Sequence, residues 1–369
     1  MKAIISGGGS GGHIFPAIAI ANALRKRHPE ADILFVGAEG KMEMEKVPAA
    51  GYVIKGLPID GLHRQLNWTN LKRNLLLPFK ILKSNRMVKS IIRDFAPDIV
   101  IGVGGYASEP TLKMAEQMGI PTLLQEQNSY AGLTNKMLSK KARTICVAYD
   151  GMERFFPAEK IVMTGNPVRR EIEEMSVTRE EGCQHFGLDS SRQVILSVGG
   201  SLGARSINQM LLRNMSAFKE NNLQLIWQTG QWMYDEVSSA VNKAKATEWI
   251  KVHKFIKEMD RAYAAADVVI SRAGAIAISE LCLVGKPVIL IPSPNVAEDH
   301  QTKNAQSLVD KGAAFLIKDN ECSEKIIPNL LKITNSTEIQ KNMSLCCKKL
   351  GLTHAADKIV DEIDKIIEN

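Results

Sequence analysis

The residues best suited to chemistry stand near the start of the chain, where five glycines between positions 7 and 12 lead into His13. A glycine loop between a strand and a helix leaves backbone N–H groups uncovered, and such groups bind anions or allow close approach to a sugar. An exposed imidazole there could take a proton from a substrate hydroxyl. The segment predicts a ligand site with His13 as a candidate base, and a capping or packing role for this histidine stays open.

The same glycines allow a second interpretation. Gly7, Gly9 and Gly12 match G-x-G-x-x-G, a pattern that also binds dinucleotides. A dinucleotide site requires an acidic residue directly at the end of the second strand, but Val36 is followed by Gly37-Ala38 before Glu39. A nicotinamide-dependent oxidoreductase is therefore an alternative that this loop alone does not exclude.

A strand and a helix must position this loop. The apolar run at residues 3–5 predicts a first buried strand of a parallel sheet. After the loop, apolar residues recur at helical spacing, and Pro16 suits the first turn of that helix.

Strand and helix signals then alternate through the first half. Further strands are predicted at residues 33–37, 99–103, 121–124 and 144–147. This alternation is typical of a doubly wound parallel sheet, whose ligands bind at the carboxyl ends of its strands. Polar loops at 104–110 and 125–135 follow two of these strands, so we expect them to share one edge with the glycine loop.

The second half repeats the opening pattern. Residues 163–170 are predicted to be a hinge, a strand at 194–198 leads into a second glycine loop at 199–205, and residues 271–280 again pass from strand to helix. Other strands are predicted at 223–227, 250–252, 268–270 and 288–292. The economical interpretation is α/β, with two Rossmann-like domains facing across a cleft. Glu280 could bind paired ribose hydroxyls, or it could simply be a favourable charge near a helix N-terminus.

Composition and charge set limits on the class of protein. The chain has 369 residues, 45% of them hydrophobic and 24% charged, as in soluble globular proteins. No window approaches the roughly 20 apolar residues of a membrane span, no signal peptide is recognised, and the six cysteines lack metal-ligand spacing. Residues 1–165 hold 22 lysines and arginines against 14 acidic residues, whereas residues 166–369 hold 25 against 26. The excess of positive charge predicts an anionic partner for the first half.

Residues 63–93 mix apolar and basic side chains, and Pro78 is predicted to interrupt any continuous helix there. Such a surface can enter a lipid headgroup layer and attract anionic phospholipid, although an ordinary amphipathic helix with a solvated basic face has the same pattern. The candidate membrane residues are Lys72, Arg73, Leu75, Leu76, Leu77, Phe79, Lys80 and Lys83.

Taken together, these motifs resemble the MurG family of N-acetylglucosaminyltransferases. The resemblance runs from residue 4 to about residue 314. It rests on GGGSGGHIFP (7–16), GGY (104–106), EQN (126–128), GLTN (132–135), GNPVR (165–169), GGSLGA (199–204), SRAGA (271–275) and SE (279–280). Eight motifs in the family's order form a specific signal.

The resemblance implies a GT-B fold with a first domain at 1–164, a donor domain at 165–345, and a final segment, 346–369, whose helix packs back on the first domain. It implies transfer of GlcNAc from UDP-GlcNAc to the C4 hydroxyl of MurNAc in lipid I, with inversion, at the cytoplasmic face of the inner membrane. It implies a peripheral enzyme that needs no metal, cofactor or nucleic acid, with anionic phospholipid and other cell-wall or division proteins as further partners.

The resemblance also assigns roles to residues. His13 is the candidate catalytic base, and Gly104, Gly105 and Tyr106 face the acceptor. Arg169 and the backbone of Ile256 lie by the uracil, and Glu280 holds the ribose. The remaining residues expected to bind the donor are Ser10, Gly11, Gly12, Asn128, Ser201, Ala275, Ile276 and Gln301.

Two positions depart from the family's pattern. Ser10 stands where the family often has threonine, which keeps the hydroxyl, and Gln125 stands where many members have histidine. Without that histidine, His13 carries more of the predicted proton transfer. The alternatives are a related GT-B enzyme acting on a sterol, diacylglycerol or natural product, the oxidoreductase, and a non-catalytic membrane-surface scaffold.

Overall fold

Buried apolar runs form the strands of two parallel sheets, one in each of two units of the chain. The computed structural model describes residues 1–60, 77–200 and 202–368. Unit 1 comprises residues 1–168 and 354–369, and unit 2 comprises residues 169–353.

Unit 1 is built on a seven-stranded parallel sheet of order β3-β2-β1-β4-β5-β6-β7. Its strands are β1 (Lys2–Ser6), β2 (Asp32–Ala38), β3 (Val53–Leu57), β4 (Ile99–Gly102), β5 (Thr122–Glu126), β6 (Thr144–Val147) and β7 (Ile161–Met163). Its helices are α1 (Gly11–Arg27), α2 (Glu43–Ala49), α3 (Leu77–Phe95), α4 (Ser108–Gln117), α5 (Leu133–Leu138) and, from the end of the chain, α16 (Ala355–Glu368).

The last helix covers one face of this sheet. Ile359, Val360 and Ile363 are fully buried in the same cluster as the apolar residues of β1 and α1. Arg27, at the end of α1, bonds to Asp361 and, at 3.3 Å, to Asp364 of α16. These contacts explain why the terminal helix folds as part of unit 1.

Unit 2 is built on a six-stranded parallel sheet of order β10-β9-β8-β11-β12-β13. Its strands are β8 (Val194–Val198), β9 (Gln224–Gln228), β10 (Ile250–His253), β11 (Val268–Ser271), β12 (Val288–Leu290) and β13 (Phe315–Leu316). Its helices are α6 (Arg170–Glu173), α7 (Arg179–Phe186), α8 (Arg205–Arg213), α9 (Met215–Glu220), α10 (Tyr234–Lys243), α11 (Met259–Ala265), α12 (Ala275–Val284), α13 (His300–Val309), α14 (Cys322–Thr334) and α15 (Thr337–Leu350).

The core of unit 2 includes one polar pair. Trp227 on β9 is fully buried, and its indole N–H donates to Oδ1 of Asn208 on α8 at 2.9 Å. Asn208 in turn donates to the carbonyl of Thr229 at 2.8 Å. The pair satisfies its buried polar atoms, as a stable core requires.

The predicted α/β class with two parallel-sheet units is confirmed. Three strands were missed, β3, β7 and β13, and all three lie at sheet edges. The units divide at Val168/Arg169, and the terminal segment of unit 1 starts at His354, whereas the sequence placed these divisions at 164/165 and 345/346.

Candidate active site

The glycine loop joins β1 to α1, and the helix begins earlier than predicted. α1 starts at Gly11, so Pro16 is its sixth residue and lies buried inside it. The prediction that Pro16 stands in the first turn was wrong. Because proline has no N–H, it cannot donate to the carbonyl of Gly12, which is left without its usual helical partner.

A carboxylate from α2 fills part of this loop. Glu43 is 1% exposed, and its oxygens accept the Gly9 N–H at 3.1 and 3.2 Å and the Ala38 N–H at 3.1 Å. The expectation that the loop leaves its N–H groups uncovered is therefore wrong at Gly9. The groups available to a ligand are those at the start of α1, on Gly11 and Gly12, which have no partner within the helix.

Glu43 also disfavours a dinucleotide at this loop. A buried carboxylate bonded to Gly9 presents negative charge where a pyrophosphate would need N–H donors. A Cβ on Gly8 would stand 2.1 Å from Glu43 Oε1, so the loop closes tightly around this side chain. Sequence reasoning missed Glu43, because only its contacts distinguish it from Glu45, the other acidic residue of α2.

Close backbone contacts bring the loop between β4 and α4, residues 103–107, against the glycine loop; residues 108–110 of the predicted polar loop belong to α4. Gly105 has φ +84°, and a Cβ there would be 2.3 Å from the carbonyl oxygen of Gly8. A Cβ on Gly9 would be 3.0 Å from the ring of Tyr106. At position 105 a side chain would be strained by the positive φ and would clash with the Gly8 carbonyl, so only glycine fits. This accounts for the second glycine of the GGY motif.

His13 lies where these two loops meet a third loop, the one that follows β5. Its Nδ1 is 3.0 Å from Oε1 of Gln127, in the loop after β5. Gly104, with φ +90°, allows the ring to lie close, because a Cβ there would be 3.0 Å from His13 Cε1 and 3.1 Å from Nδ1. The candidate base is thus held between a glycine and a glutamine, and it is partly buried.

Tyr106 is half-buried beside this group. Burial, and then the negative charges of Glu43 and Asp60, raise the pKa of Tyr106 to about 12. Its hydroxyl is therefore neutral at physiological pH.

Glu126 organises the third loop. Its Oε1 accepts from the backbone N–H and the side-chain amide of Asn128 at 3.0 and 3.2 Å. Its Oε2 accepts from the Gly132 N–H at 3.0 Å and from Asn135 Nδ2 at 2.9 Å. One buried carboxylate thus fixes the position of Asn128, the residue of this loop that the sequence assigned to the donor.

In unit 2 the candidate site centres on Glu280 of α12. Arg169 donates to both of its oxygens, from Nε at 2.9 Å and from Nη2 at 3.0 Å. The hydroxyl of Tyr263, on α11, donates to Oε2 at 3.1 Å. Burial, and then the charge of Glu280, hold the pKa of Tyr263 well above 10, so it remains a donor. The structure brings Arg169 and Glu280 together; sequence reasoning missed Tyr263.

The first turn of α12 is open. Gly274 caps the helix with extended backbone, and a Cβ there would meet nothing within 4 Å. The first helical bond runs from the Ile278 N–H to the Gly274 carbonyl, so the N–H groups of Ala275 and Ile276 have no partner within the helix. These are the donors that a diphosphate requires.

Of the other residues predicted to bind the sugar donor, two are already hydrogen-bonded within the protein and one lies outside the described residues. The N–H of Ile256 donates to Gln228 Oε1 at 2.8 Å, so a base would meet its carbonyl rather than its N–H. Oε1 of Gln301 accepts from the Ser293 N–H at 2.8 Å, which directs the amide nitrogen elsewhere. Ser201 lies outside the described residues.

The predicted membrane surface is described only in part. Lys72, Arg73, Leu75 and Leu76 lie outside the described residues. The described part of α3 runs from Leu77 to Phe95 and includes Pro78.

The described part of this surface combines apolar and basic side chains. Phe79 is 70% and Leu82 56% exposed, and Lys83 is exposed beside them. Lys80 pairs with Asp60 at 2.6 Å, so part of its charge is neutralised.

Comparison with known proteins identifies the family. Residues 3–147 match the glycosyltransferase family 28 N-terminal domain, and residues 194–359 match the family 28 C-terminal domain. Proteins named UDP-N-acetylglucosamine–N-acetylmuramyl-(pentapeptide) pyrophosphoryl-undecaprenol N-acetylglucosamine transferase are 54% identical in Phocaeicola vulgatus and 55% in Parabacteroides distasonis. The alignments cover 100% of this chain and 97% and 98% of those proteins.

Solved structures agree. The crystal structure of Acinetobacter baumannii MurG matches with a TM-score of 0.81 and 29% identity, over 99% of both chains. A UDP-GlcNAc 2-epimerase from Neisseria meningitidis matches with a TM-score of 0.68 at 15% identity, which shows the fold alone. The oxidoreductase and scaffold alternatives are excluded, and the GT-B class is confirmed. This chain belongs to the MurG family of N-acetylglucosaminyltransferases, within glycosyltransferase family 28.

Proposed function

We propose that this protein transfers GlcNAc from UDP-GlcNAc to the C4 hydroxyl of MurNAc in lipid I, with inversion at the anomeric carbon, to form lipid II. The names of its full-length relatives support the substrates. The observation that carries the chemistry is His13, held against Gln127 at 3.0 Å where three loops of unit 1 meet.

The proposed reaction is a single displacement. Nε2 of His13 takes the proton of the C4 hydroxyl as its oxygen bonds to the anomeric carbon. The bond from that carbon to the diphosphate breaks, and UDP leaves with the electron pair. Backbone N–H groups at helix starts stabilise the charge that develops on the diphosphate, and no metal is required in this scheme.

The donor is proposed to bind mainly to unit 2. The N–H groups of Ala275 and Ile276 meet the diphosphate, and Glu280 accepts from the ribose hydroxyls. Arg169 and the carbonyl of Ile256 lie by the uracil. The other proposed contacts to GlcNAc or diphosphate are Ser10, Gly11, Gly12, Asn128, Ser201 and Gln301.

The acceptor is proposed to meet unit 1. Gly104 and Gly105 allow its sugar to approach the backbone, and the neutral hydroxyl of Tyr106 offers a hydrogen bond. Because Glu43 occupies the Gly9 N–H, that group is not offered to the acceptor.

The function is tested by transfer of radiolabelled GlcNAc from UDP-GlcNAc to a short-chain lipid I analogue, with a sterol and a diacylglycerol as alternative acceptors. We expect label on the lipid I analogue alone. Label on another lipid, or UDP-GlcNAc hydrolysis without transfer, would show that the acceptor assignment is wrong.

We also propose a peripheral location at the cytoplasmic face of the inner membrane, with contact to anionic phospholipid and to other cell-wall or division proteins. Among the described residues, no helix is long and apolar enough to cross a bilayer. The support is the exposed Phe79 and Leu82 beside Lys83 on α3.

Vesicle binding tests the membrane surface. Replacing Lys72, Arg73, Lys80 and Lys83 together should weaken sedimentation with anionic vesicles and leave transfer to the short-chain acceptor intact. Phe79→Ser with Leu82→Ser should do the same, whereas Val53→Ser, at a 65% exposed position on β3, should not. Unchanged vesicle binding by both multiple variants would end the proposal.

A further inference from the structure

The hydrogen bonds around Gln127 have a fixed direction. Its Nε2 lies 2.8 Å from the carbonyl oxygen of Val103 and 3.2 Å from that of Gln125. A backbone carbonyl can only accept, so the NH₂ end of the Gln127 amide must face these two oxygens. The oxygen end, Oε1, therefore faces His13.

A second anchor gives the same direction independently. Asn166 Nδ2 donates to the backbone carbonyl of Gln127 at 3.0 Å, so Asn166 Oδ1 faces Gln125 and accepts from its Nε2 at 3.0 Å. The Gln125 amide is thereby oriented with Oε1 toward Gln127, whose Nε2 bonds to it. The hydrogen bonds followed from Asn166 therefore give the same result: the Gln127 amide has its Oε1 facing His13.

This arrangement determines the protonation of the imidazole ring. An amide oxygen accepts and cannot donate, so the 3.0 Å contact from Gln127 Oε1 to His13 Nδ1 requires a hydrogen on Nδ1. In the neutral ring the lone pair then lies on Nε2. The carboxylate of a His–Asp pair fixes a ring in the same way, but the Gln127 amide does so without adding negative charge.

We propose that Gln127 is a positioning residue that holds His13 in the Nδ1–H tautomer, so that Nε2 is the atom that takes the acceptor's proton. Gln125 and Asn166 orient the Gln127 amide from behind. Gln125, Gln127 and Asn166 are each no more than 2% exposed, so little water competes for these bonds. The proposal rests on the proposed function only for what Nε2 does; the tautomer itself stands on the hydrogen bonds.

The same hydrogen bonds indicate a role for Gln125. In this chain it is fully buried and donates to Asn166, on the far side of Gln127 from His13. It therefore acts on the base through the orientation of the Gln127 amide, because its own side chain is fully buried.

The direct test is nitrogen-15 NMR of the wild-type protein labelled at its seven histidines. Spectra are taken at about pH 8.5, where a free imidazole is neutral, and His13→Ala assigns the signal. We expect a protonated Nδ1 and an unprotonated Nε2 on His13. A protonated Nε2 would overturn the proposal, and this measurement requires no variant at position 127.

Gln127→Met then tests the cause. It removes the acceptor, so the His13 signals should move to the Nε2–H form or to an average of both, and kcat should fall about tenfold with the KM for UDP-GlcNAc within about twofold. Gln117→Met, at an exposed position of α4, is the matched control and should match the wild type in both. An unchanged His13 signal in a folded Gln127→Met would show that another contact sets the tautomer.

The two hypotheses fail separately. Absence of GlcNAc transfer by the wild type would contradict the proposed function and leave the tautomer measurement valid. Normal transfer with an Nε2–H ring would contradict the positioning role alone.

Discussion

Arg169 and Glu280 form a two-pronged ion pair, with Nε and Nη2 of the guanidinium each bonded to one oxygen of the carboxylate. Tyr263 adds a third donor, to Oε2. A carboxylate has about four acceptor positions, two on each oxygen. With Arg169 and Tyr263 in place, one position remains, on Oε1. Two ribose hydroxyls could both donate to Glu280 only if Arg169 released part of its hold.

This relationship predicts how Tyr263→Phe affects nucleotide binding. Loss of the hydroxyl opens a second acceptor position on Glu280 but also frees its carboxylate to turn. We expect the lost orientation to dominate, so UDP affinity should fall about fivefold, the size of one ordinary hydrogen bond. The affinity for 2′-deoxy-UDP should change less than that for UDP, as measured by calorimetry. Tyr234→Phe, elsewhere in unit 2, is the control. Equal losses for the two nucleotides would indicate that Tyr263 supports the fold and not the ribose contact.

His13→Ala should separate catalysis from donor binding. We expect kcat to fall by about 10² to 10⁴, the usual contribution of a general base, with an unchanged dissociation constant for UDP-GlcNAc. Steady-state kinetics and calorimetry measure the two quantities. If both worsened equally, His13 would be a residue that shapes the donor site.

Gly104→Ala should displace His13 by direct steric contact. The new Cβ would stand 3.0 Å from His13 Cε1 at φ +90°, so the ring must shift from its present position, and we expect kcat to fall about tenfold. Gly119→Ala is the matched control, because it has φ +77° but open space around its Cβ. Comparable activity in the two variants would mean that the close contact at Gly104 is unimportant.

Glu43→Ala should destabilise unit 1. It removes the carboxylate that accepts from the buried Ala38 N–H and from the N–H of Gly9, an exposed residue, which we expect to cost about 2 kcal/mol of unfolding free energy in urea. Glu45→Ala, whose side chain is 77% exposed on the same helix, should change stability by less than about 0.5 kcal/mol. Similar small effects would show that Glu43 does not hold the loop.

The raised pKa of Tyr106 predicts that the stability of the protein depends on pH in the alkaline range. Its folded pKa of about 12 exceeds the ordinary 10, so above pH 10 the unfolded chain loses the phenol proton while the folded chain keeps it. The unfolded state then binds fewer protons, and stability falls as pH rises. The unfolding free energy of the wild type minus that of Tyr106→Phe, measured from pH 9 to 11, should decrease as pH rises. Parallel curves would contradict the raised pKa.

Much of the architecture could be predicted because central strands of parallel sheets are buried on both faces and read as continuous apolar runs. β1, β4 and β8 are of this kind. The missed β3 shows the opposite case: it is an edge strand in which Lys55 and Gly56 interrupt the apolar residues, so its membership depends on pairing with β2. The helix start at Gly11 was missed because Pro16 gives a local signal that tertiary contacts override.

By itself, the sequence determined the fold class, the family and the segments that could form a site. The motifs and the spacing of apolar residues that indicate them are properties of short stretches of the chain. Only the tertiary structure decided which groups are free to act. Gly9 is covered by Glu43, His13 is fixed by Gln127, and Glu280 is shared between Arg169 and Tyr263. The partners in these bonds are separated by 17 to 114 residues along the chain, and hydrogen bonding at such separations is set by folding, not by neighbouring residue types.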